Sequence, residues 1–426
     1  MEEGTAGPST DNRPCPASNG SGTDAVNTAL SWPVCFGHPA VYWLIGHAAV
    51  CAAALFTWAF FLRPVADYSF LRNPSLLTKA DLGPSAPAPS FLEALHRYDA
   101  AHYTSIARFG YRPPDPQIAF YPLYPMLMRV LSLTLFRDLG IQHVHLSGLL
   151  ISLTASLLGV ILLERLCRES MNAPSRHLCL LLWVLNPAAV FLSMCYTEAL
   201  FTALVIGGML CVRRRSWLGA GTFIGLACLT RPVGVLAYVG MLLEYASRNS
   251  ERGQGRNRWL DLFGLCLPAL MILAHLGFQA VLYSDPLASV HAERENWGQR
   301  LVGPWAYPFY VAVTLTSAAV GLQYKVVVGV NFLLLMGGIV LTARVFSSPV
   351  IPISLRSYTA LTTLSIVCRS STMSISRMLM PAFPLFMVLA EWCMRGTARR
   401  GFGTVVTFLV LDIFGTAAFV GDRKLF

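Results

Sequence analysis

From position 41 to position 420 the chain is a succession of apolar runs, at about 41–62, 144–163, 178–194, 197–212, 217–230, 232–243, 259–283, 326–343, 355–370, 378–394 and 402–420. About 20 such residues in a helix cross a hydrocarbon core of roughly 30 Å. The predicted fold is therefore an all-α integral membrane protein, a polytopic helical bundle of about eleven transmembrane helices, with eight to thirteen compatible with the pattern. Composition agrees: 55% of the 426 residues are hydrophobic and only 13% charged, whereas an ordinary soluble chain carries about 25% charge. So little polar surface cannot cover a globule, and the opposite bias would be needed for a disordered chain, a coiled coil or a collagen. The formal charge of +10 sits in short arginine clusters between apolar runs, as positive-inside anchors do. The expected partner is thus the lipid bilayer, not nucleic acid. Eleven cysteines, an odd count without a C-x-x-C, fall mostly inside apolar runs and read as small hydrophobes, not as a disulfide framework.

Residues 1–36 are rich in Gly, Ser, Pro, Asn and Thr and are expected to form a disordered tail. The polytopic domain would occupy 37–426. Its first run, 41–62, starts too far in for an ordinary signal peptide and is read as a retained first helix. Residues 63–143 are expected to form a large first extracytoplasmic loop with interfacial helices. Pro187 and Pro232 interrupt otherwise continuous runs, as broken helices at membrane depth require. The basic stretches 213–215, 248–258 and 395–400 are assigned to the cytosolic side. Alternation then puts the tail inside, and gathers the 63–117 loop, Glu198, Arg231, the 284–305 loop and Arg377 on the opposite face. For this parity 118–136 and 305–323 must be interfacial or re-entrant. No internal repeat is visible.

Ionisable groups beside hydrocarbon are costly and therefore informative. The densest set is His96-Arg97-Tyr98-Asp99-Ala100-Ala101-His102-Tyr103. The spacing predicts a helix over 100–109 with Asp99 as its N-cap and Gly110 just past its end. A capping carboxylate that faces a cavity can also serve as a base. His102, one turn on, is placed to orient that carboxylate or to bind phosphate. Tyr121 and Tyr124 alternate with Pro122 and Pro125, which suits an interfacial aromatic belt and equally a sugar-stacking platform. Glu198 stands at the mouth of an apolar run, where the helix macrodipole favours a carboxylate. Arg231 precedes Pro232 between two apolar half-runs; a planar guanidinium at a helix break suits phosphate. Asp285, His291, Glu293, Arg294 and Trp297 share the external side, and Arg377 stands just ahead of the 378–390 run. There is no Asp-x-Asp, no Gly-rich phosphate loop and no His/Cys pair at zinc spacing. Neither metal nor cofactor is predicted, and no soluble domain is large enough for a nucleotide donor, so a donor would have to reside in the bilayer.

Five motifs recur in order: Arg97-Tyr98-Asp99-Ala100-x-His102, Phe120-x-Pro122-x-x-Pro125, Asn186-Pro187-Ala188-x-Val190-Phe191, Tyr196-x-Glu198-Ala199-Leu200-Phe201 and the Arg231 segment. Together they resemble the GPI mannosyltransferase II (PIG-V) family of the C-type, multi-span glycosyltransferases (GT-C), well over about 90–240 and more loosely through 284–300 and the Ser376-Arg377-x-x-x-x-Pro381 segment. Tyr98 stands where that family usually carries Trp. The resemblance implies mannose transfer from polyprenyl (dolichyl) phosphate mannose to a glycosylphosphatidylinositol (GPI) precursor, adding the second, α1,6-linked mannose. It implies the lumenal face of the endoplasmic reticulum, or the plasma membrane in a prokaryote, and leaves room for a small membrane partner subunit. In that chemistry Asp99 would take the proton of the acceptor hydroxyl. Arg231 and Arg377, with His102, would meet the donor phosphate. Arg97, Tyr98, Tyr121, Tyr124, Glu198, Asp285 and Trp297 are the candidates for sugar or acceptor contacts. A β-linked donor attacked in line gives an α product, hence inversion.

Three other readings share the composition. A multi-span transporter or lipid flippase places ionisable residues near the midplane and often shows repeated halves; here they gather toward one interface without a repeat. A non-catalytic scaffold subunit, and a prokaryotic-type lipid-linked glycosyltransferase with a different acceptor, are the others.

Overall fold

The computed structural model describes residues 38–62, 91–135, 142–248, 258–370, 374–396 and 398–421. The expected tail, residues 63–90 of the first loop and most of the 248–258 basic stretch lie outside the described residues. The rest is helical, and the one β-type pairing among the described residues is an isolated antiparallel bridge between Leu301 and Arg369.

The helices are α1 (Pro39–Thr57), α2 (Phe91–Ala94), α3 (Asp99–Phe109), α4 (Leu123–Leu135), α5 (Gln142–Arg168), α6 (Ala173–Val184), α7 (Val190–Ser193), α8 (Glu198–Arg213), α9 (Trp217–Cys228), α10 (Gly234–Ser247), α11 (Arg258–Tyr283), α12 (Ala288–Trp297), α13 (Ala306–Thr316), α14 (Leu322–Ser347), α15 (Ile353–Val367), α16 (Ile375–Leu379), α17 (Pro384–Met394) and α18 (Ala398–Val420). Five stretches among the described residues are long and apolar enough to cross a membrane: Pro39–Phe61, Val144–Arg168, Arg258–Tyr283, Tyr324–Ser347 and Arg399–Val420. The other runs also fold as helices, but shorter ones. The 178–194 run splits into α6 and α7, because Asn186 folds the chain locally: its amide nitrogen donates to the Trp183 carbonyl at 2.6 Å and its oxygen accepts from the Ala188 N–H at 2.8 Å, with Pro187 unable to donate. The 118–136 stretch becomes the 13-residue α4, about 20 Å long.

Small residues let helices approach closely where lipid gives no hydrophobic drive for association. A Cβ on Gly221 of α9 would overlap the Gly264 carbonyl of α11, so these two backbones touch. Gly234, at the α9–α10 break, has the Cys228 nitrogen 2.6 Å from where a Cβ would lie, and Pro232 just before it ends the ladder. Helix α8 lies inside the bundle, with Phe201, Val205, Ile206 and Met209 fully buried.

Three helices share one polarity. The 16-residue α8 begins at Glu198 and ends at the 213–215 arginines, about 24 Å away. The 14-residue α10 begins three residues after Arg231 and ends against Arg248. Helix α17 follows the Arg377 segment and ends at Arg395. The site residues therefore lie at one end of these helices and the basic loops at the other.

Candidate active site

The segment before α3 is pinned to the bundle by Arg97. Only 4% exposed, it donates through Nη2 to the Val420 carbonyl at 3.1 Å, while its own carbonyl accepts the Tyr196 hydroxyl at 3.0 Å. Tyr98 packs edge-on against Phe419, 5.6 Å between centroids, and holds φ at 49°, a region L-residues seldom occupy and one that clusters at functional sites. Arg97 thereby clamps this segment to the bundle.

The helix starts at Asp99, not after it: Tyr98 occupies the N-cap position and no side chain caps the turn. The predicted capping role of Asp99 is corrected by this geometry. Its Oδ2 instead accepts a hydrogen bond from Arg377 Nη2 at 2.7 Å. A charge-assisted bond of this kind outweighs a cap, at about 1.5–3 against roughly 1 kcal/mol. Gly110 closes the helix as predicted, with φ at 75°.

Arg377 is the hub. Its Nε donates to Glu198 Oε1, and its guanidinium lies 4.9 Å from the Phe191 ring and 4.8 Å from the Tyr196 ring. The same Glu198 oxygen accepts from Arg231 Nη1, which also reaches Thr197 Oγ1 at 3.2 Å. Thr197 in turn lies 3.3 Å from the Tyr103 hydroxyl. Asp99, Glu198, Arg231 and Arg377 thus form one continuous ion-pair chain, drawn together across 278 positions of sequence between Asp99 and Arg377. Exposure grades along it: the Glu198 side chain is at 0%, Arg377 at 14%, Arg231 at 19% and Asp99 at 25%. Glu198 is therefore the floor that holds two guanidiniums, not a sugar contact. The hydrogen bonds of these groups among the described residues use Asp99 Oδ2, Arg377 Nε and Nη2, and Arg231 Nη1, which leaves one carboxylate oxygen and three guanidinium nitrogens for a ligand.

An aromatic wall stands beside this edge. His102 stacks on Phe120 with centroids 4.6 Å apart and meets the edge of Trp297 at 5.9 Å. Burial holds the His102 imidazole below its ordinary range, with the Asp99 charge opposing the shift; the ring is neutral at neutral pH, and no hydrogen bond joins it to Asp99. In that form one ring N–H remains a donor, and the ring also serves as a stacking face. Trp297, 39% exposed, also meets the Phe120 ring at 5.5 Å. Tyr121 tilts against His275 at 4.5 Å, on the α11 side. Tyr124, fully buried, bonds the Gly148 carbonyl and Ser152, each at 2.8 Å, so it supports Tyr103 from behind and meets no sugar. Asp285 accepts from the Leu287 N–H at 2.9 Å and pairs with His291 at 2.7 Å.

Two charged groups went unassigned in the sequence. Glu293, one turn before Trp297 on α12, is raised by burial, drawn down by Arg369 and Arg231 and pushed up by Asp99. Arg369 donates to Gln299 at 3.1 Å where the 298–302 loop is laced to the end of α15, including the Ser370 N–H to the Arg300 carbonyl at 3.0 Å. An arginine closing an apolar run looks like an interfacial anchor, and only this lacing brings it beside the site.

A family model described as mannosyltransferase (PIG-V) matches residues 55–341, a span that holds Asp99, Glu198 and Arg231. The chain belongs to the PIG-V mannosyltransferase family. The mouse protein named GPI alpha-1,6-mannosyltransferase 2 is 32% identical over 217 residues, 49% of this PIG-V family chain and 42% of the mouse protein. The Yarrowia lipolytica GPI mannosyltransferase 2 is 30% identical over 123 residues, 29% of this chain and 33% of the yeast protein. The chain spans less than half the length of the curated relatives it matches. Among solved structures, the Archaeoglobus fulgidus oligosaccharyltransferase AglB, in complex with an inhibitory peptide and a dolichol-phosphate, aligns over 90% of this chain and 56% of its own, with 13% identity and a TM-score of 0.45.

Proposed function

We propose that this PIG-V family chain is an inverting mannosyltransferase. It moves mannose from a polyprenyl (dolichyl) phosphate to a membrane glycolipid, the GPI precursor, as the second, α1,6-linked mannose. The observation that carries the reading is the Asp99–Arg377–Glu198–Arg231 chain, which sets a reachable carboxylate directly against two fixed guanidiniums. Asp99 accepts the proton of the acceptor hydroxyl as its oxygen attacks the anomeric carbon. The bond from that carbon to the phosphate oxygen breaks, and the electron pair departs on the phosphate. The unused donors of Arg231 and Arg377 stabilise the second negative charge that develops there; they are preorganised, because Glu198 holds both guanidiniums before the substrate arrives. The two carboxylates and two guanidiniums sum to zero formal charge, so an anionic donor meets no net repulsion. Trp297, Phe120 and the neutral His102 ring offer stacking faces for pyranose rings.

The site lies at the opposite end of α8, α10 and α17 from the arginine loops. Under the positive-inside rule this supports an active site on the lumenal side of an endoplasmic reticulum membrane. A transporter would be expected to carry its ionisable cluster near the middle of the spans, whereas Glu198 and Arg231 stand at the ends of α8 and α10 remote from the arginine loops.

The test is transfer of radiolabelled mannose from polyprenyl phosphate mannose to a panel of glycolipid acceptors by the purified chain. Asp99→Asn should lower kcat by at least about 100-fold, within the range a positioned base contributes, with folding intact. Undiminished transfer by the variant would remove Asp99 from the chemistry. Expression in cells lacking the second GPI mannosyltransferase tests the acceptor: restored surface anchors support the GPI precursor, and absence of rescue alongside transfer in vitro points to another glycolipid.

A further inference from the structure

At the far end of α3 from Asp99 a second charged group is assembled. Arg108 in the last turn lies with its guanidinium 4.8 Å from the centre of the Phe109 ring, and Arg112 lies 4.7 Å from the same centre. The positive φ of Gly110, 75°, turns the chain after the helix and brings Arg112 back to that ring. From α4, Arg129 Nη1 reaches the Ala107 and Arg108 carbonyls, each at 3.4 Å. Two arginines therefore share one aromatic ring that is itself 44% exposed, and a third braces the backbone turn beside it.

This cluster differs from the arginines that are paired with glutamates. Arg168 and Arg176 pair with Glu164, Arg213 and Arg214 with Glu169, Arg248 with Glu244 and Arg395 with Glu391. Among the described residues no carboxylate pairs with Arg108, Arg112 or Arg129. Arginine is concentrated on cytosolic loops by the positive-inside rule, yet Arg108 shares α3 with Asp99, and Arg112 and Arg129 stand beside the end of that helix. Its surroundings are lipid-like: Met126, Val130 and Leu133 of α4 are 61%, 60% and 57% exposed and form an i, i+4, i+7 apolar stripe beside Arg129. Guanidiniums next to an acyl-chain surface suit the phosphate of a lipid, which they bind through forked hydrogen bonds.

We infer that Arg108, Arg112 and Arg129 form the subsite for the phosphodiester of the acceptor lipid, which seats the acceptor along α3 with its reacting hydroxyl at Asp99. The inference rests on the mannosyltransferase reading above. The ten residue steps from Asp99 to Phe109 measure roughly 15 Å, the reach of a short run of sugar rings. The acceptor is thus gauged at both ends, its phosphate held at the helix C-terminus and its glycan tip presented at the N-terminus. Binding energy gathered away from the reacting bond then selects acceptors of the right length.

The experiment compares two acceptors that carry the same glycan, one on phosphatidylinositol and one on a neutral dialkylglycerol without phosphate. Both are presented to the full purified chain in neutral detergent. Wild type should favour the phosphate-bearing acceptor by about tenfold in kcat/KM, the loss of one charge-assisted contact. In the double variant R108Q/R112Q the preference should fall to near one, and R108K/R112K should recover part of it. A preference that survives R108Q/R112Q, or a wild type that has none, overturns the subsite while leaving the mannosyltransferase reading standing. Failure of wild type to mannosylate either acceptor overturns both. Glycan-free phosphatidylinositol added in excess should compete only weakly; competition as strong as that of the acceptor itself would mark a general anionic-lipid anchor and overturn the assignment.

Discussion

Arg377→Lys tests whether the shape of the guanidinium, and not only its charge, holds the site. Arg377 uses two different nitrogens on one planar fork, Nη2 to Asp99 at 2.7 Å and Nε to Glu198, and lays its face on Phe191 and Tyr196. A lysine ammonium is a single point at the end of a flexible stem and can satisfy one carboxylate at a time. Losing one hydrogen bond to a charged group costs about 1.5–3 kcal/mol, and weaker stacking of the cation on two rings about 0.5–1 kcal/mol more. The sum, about 2–4 kcal/mol, corresponds to roughly a 30- to 1,000-fold fall in kcat/KM. Arg231 supplies the internal control for packing. It makes both of its hydrogen bonds within the protein, to Thr197 and Glu198, through the single nitrogen Nη1, an arrangement a lysine can reproduce. Arg231→Lys should therefore lower the unfolding temperature in detergent less than Arg377→Lys does, while both lose donors to the phosphate. Mannose transfer is measured with saturating donor, at a temperature where thermal unfolding shows each variant folded. If Arg377→Lys stays within about threefold of wild type in transfer, or if Arg231→Lys is the more destabilised of the two, the fork is not what holds Asp99 and the reasoning fails.

Glu198→Gln leaves two guanidiniums side by side with no carboxylate between them. With Glu198 fully buried and both arginines mostly so, breaking such a pair costs about 3–5 kcal/mol, so the unfolding temperature in detergent should drop clearly; an unchanged value would show that Glu198 is not the keystone. Glu293→Gln reports on a carboxyl raised chiefly by burial. Because the folded state binds that proton more tightly than the unfolded chain, wild type loses this stability as pH climbs past the ordinary glutamate value toward the raised one. The Tm of Glu293→Gln relative to wild type should therefore increase from acidic to neutral pH, and a pH-independent difference would contradict the placement.

The ionisable residues of the site were visible in the sequence one at a time, because a charge beside hydrocarbon is rare enough to stand out. Asp99, Arg231 and Arg377 needed no more than that, and the positions of the basic loops gave their common side. Their joint geometry was not visible. No local pattern couples Asp99 to Arg377, and the N-cap preference of an aspartate pointed to a different job for its carboxylate. Tyr121 and Tyr124 look equivalent as aromatics spaced among prolines, but Tyr124 turns into the bundle to meet Gly148 and Ser152. Glu293 and Arg369 became neighbours of the site through the lacing of the 298–302 loop to the end of α15, a contact between segments about 70 residues apart, such as Arg369 and Gln299. Helix existence was legible from the apolar runs, whereas helix length was not: Asn186 stops α6 early by bonding its own neighbours, and a hydropathy average does not register that.

The shared polarity of α8, α10 and α17 makes these helices measuring rods. Each carries arginine at its foot and sets a member of the ion-pair chain at or near its head, so the position of that chain is referenced to the arginine-bearing ends of these helices. One residue inserted into α8 would lift Glu198 by only about 1.5 Å but swing it about 100° round the axis, off both guanidiniums at once. Substitutions that preserve residue count keep this alignment, whereas a change in the length of any of the three rods breaks it.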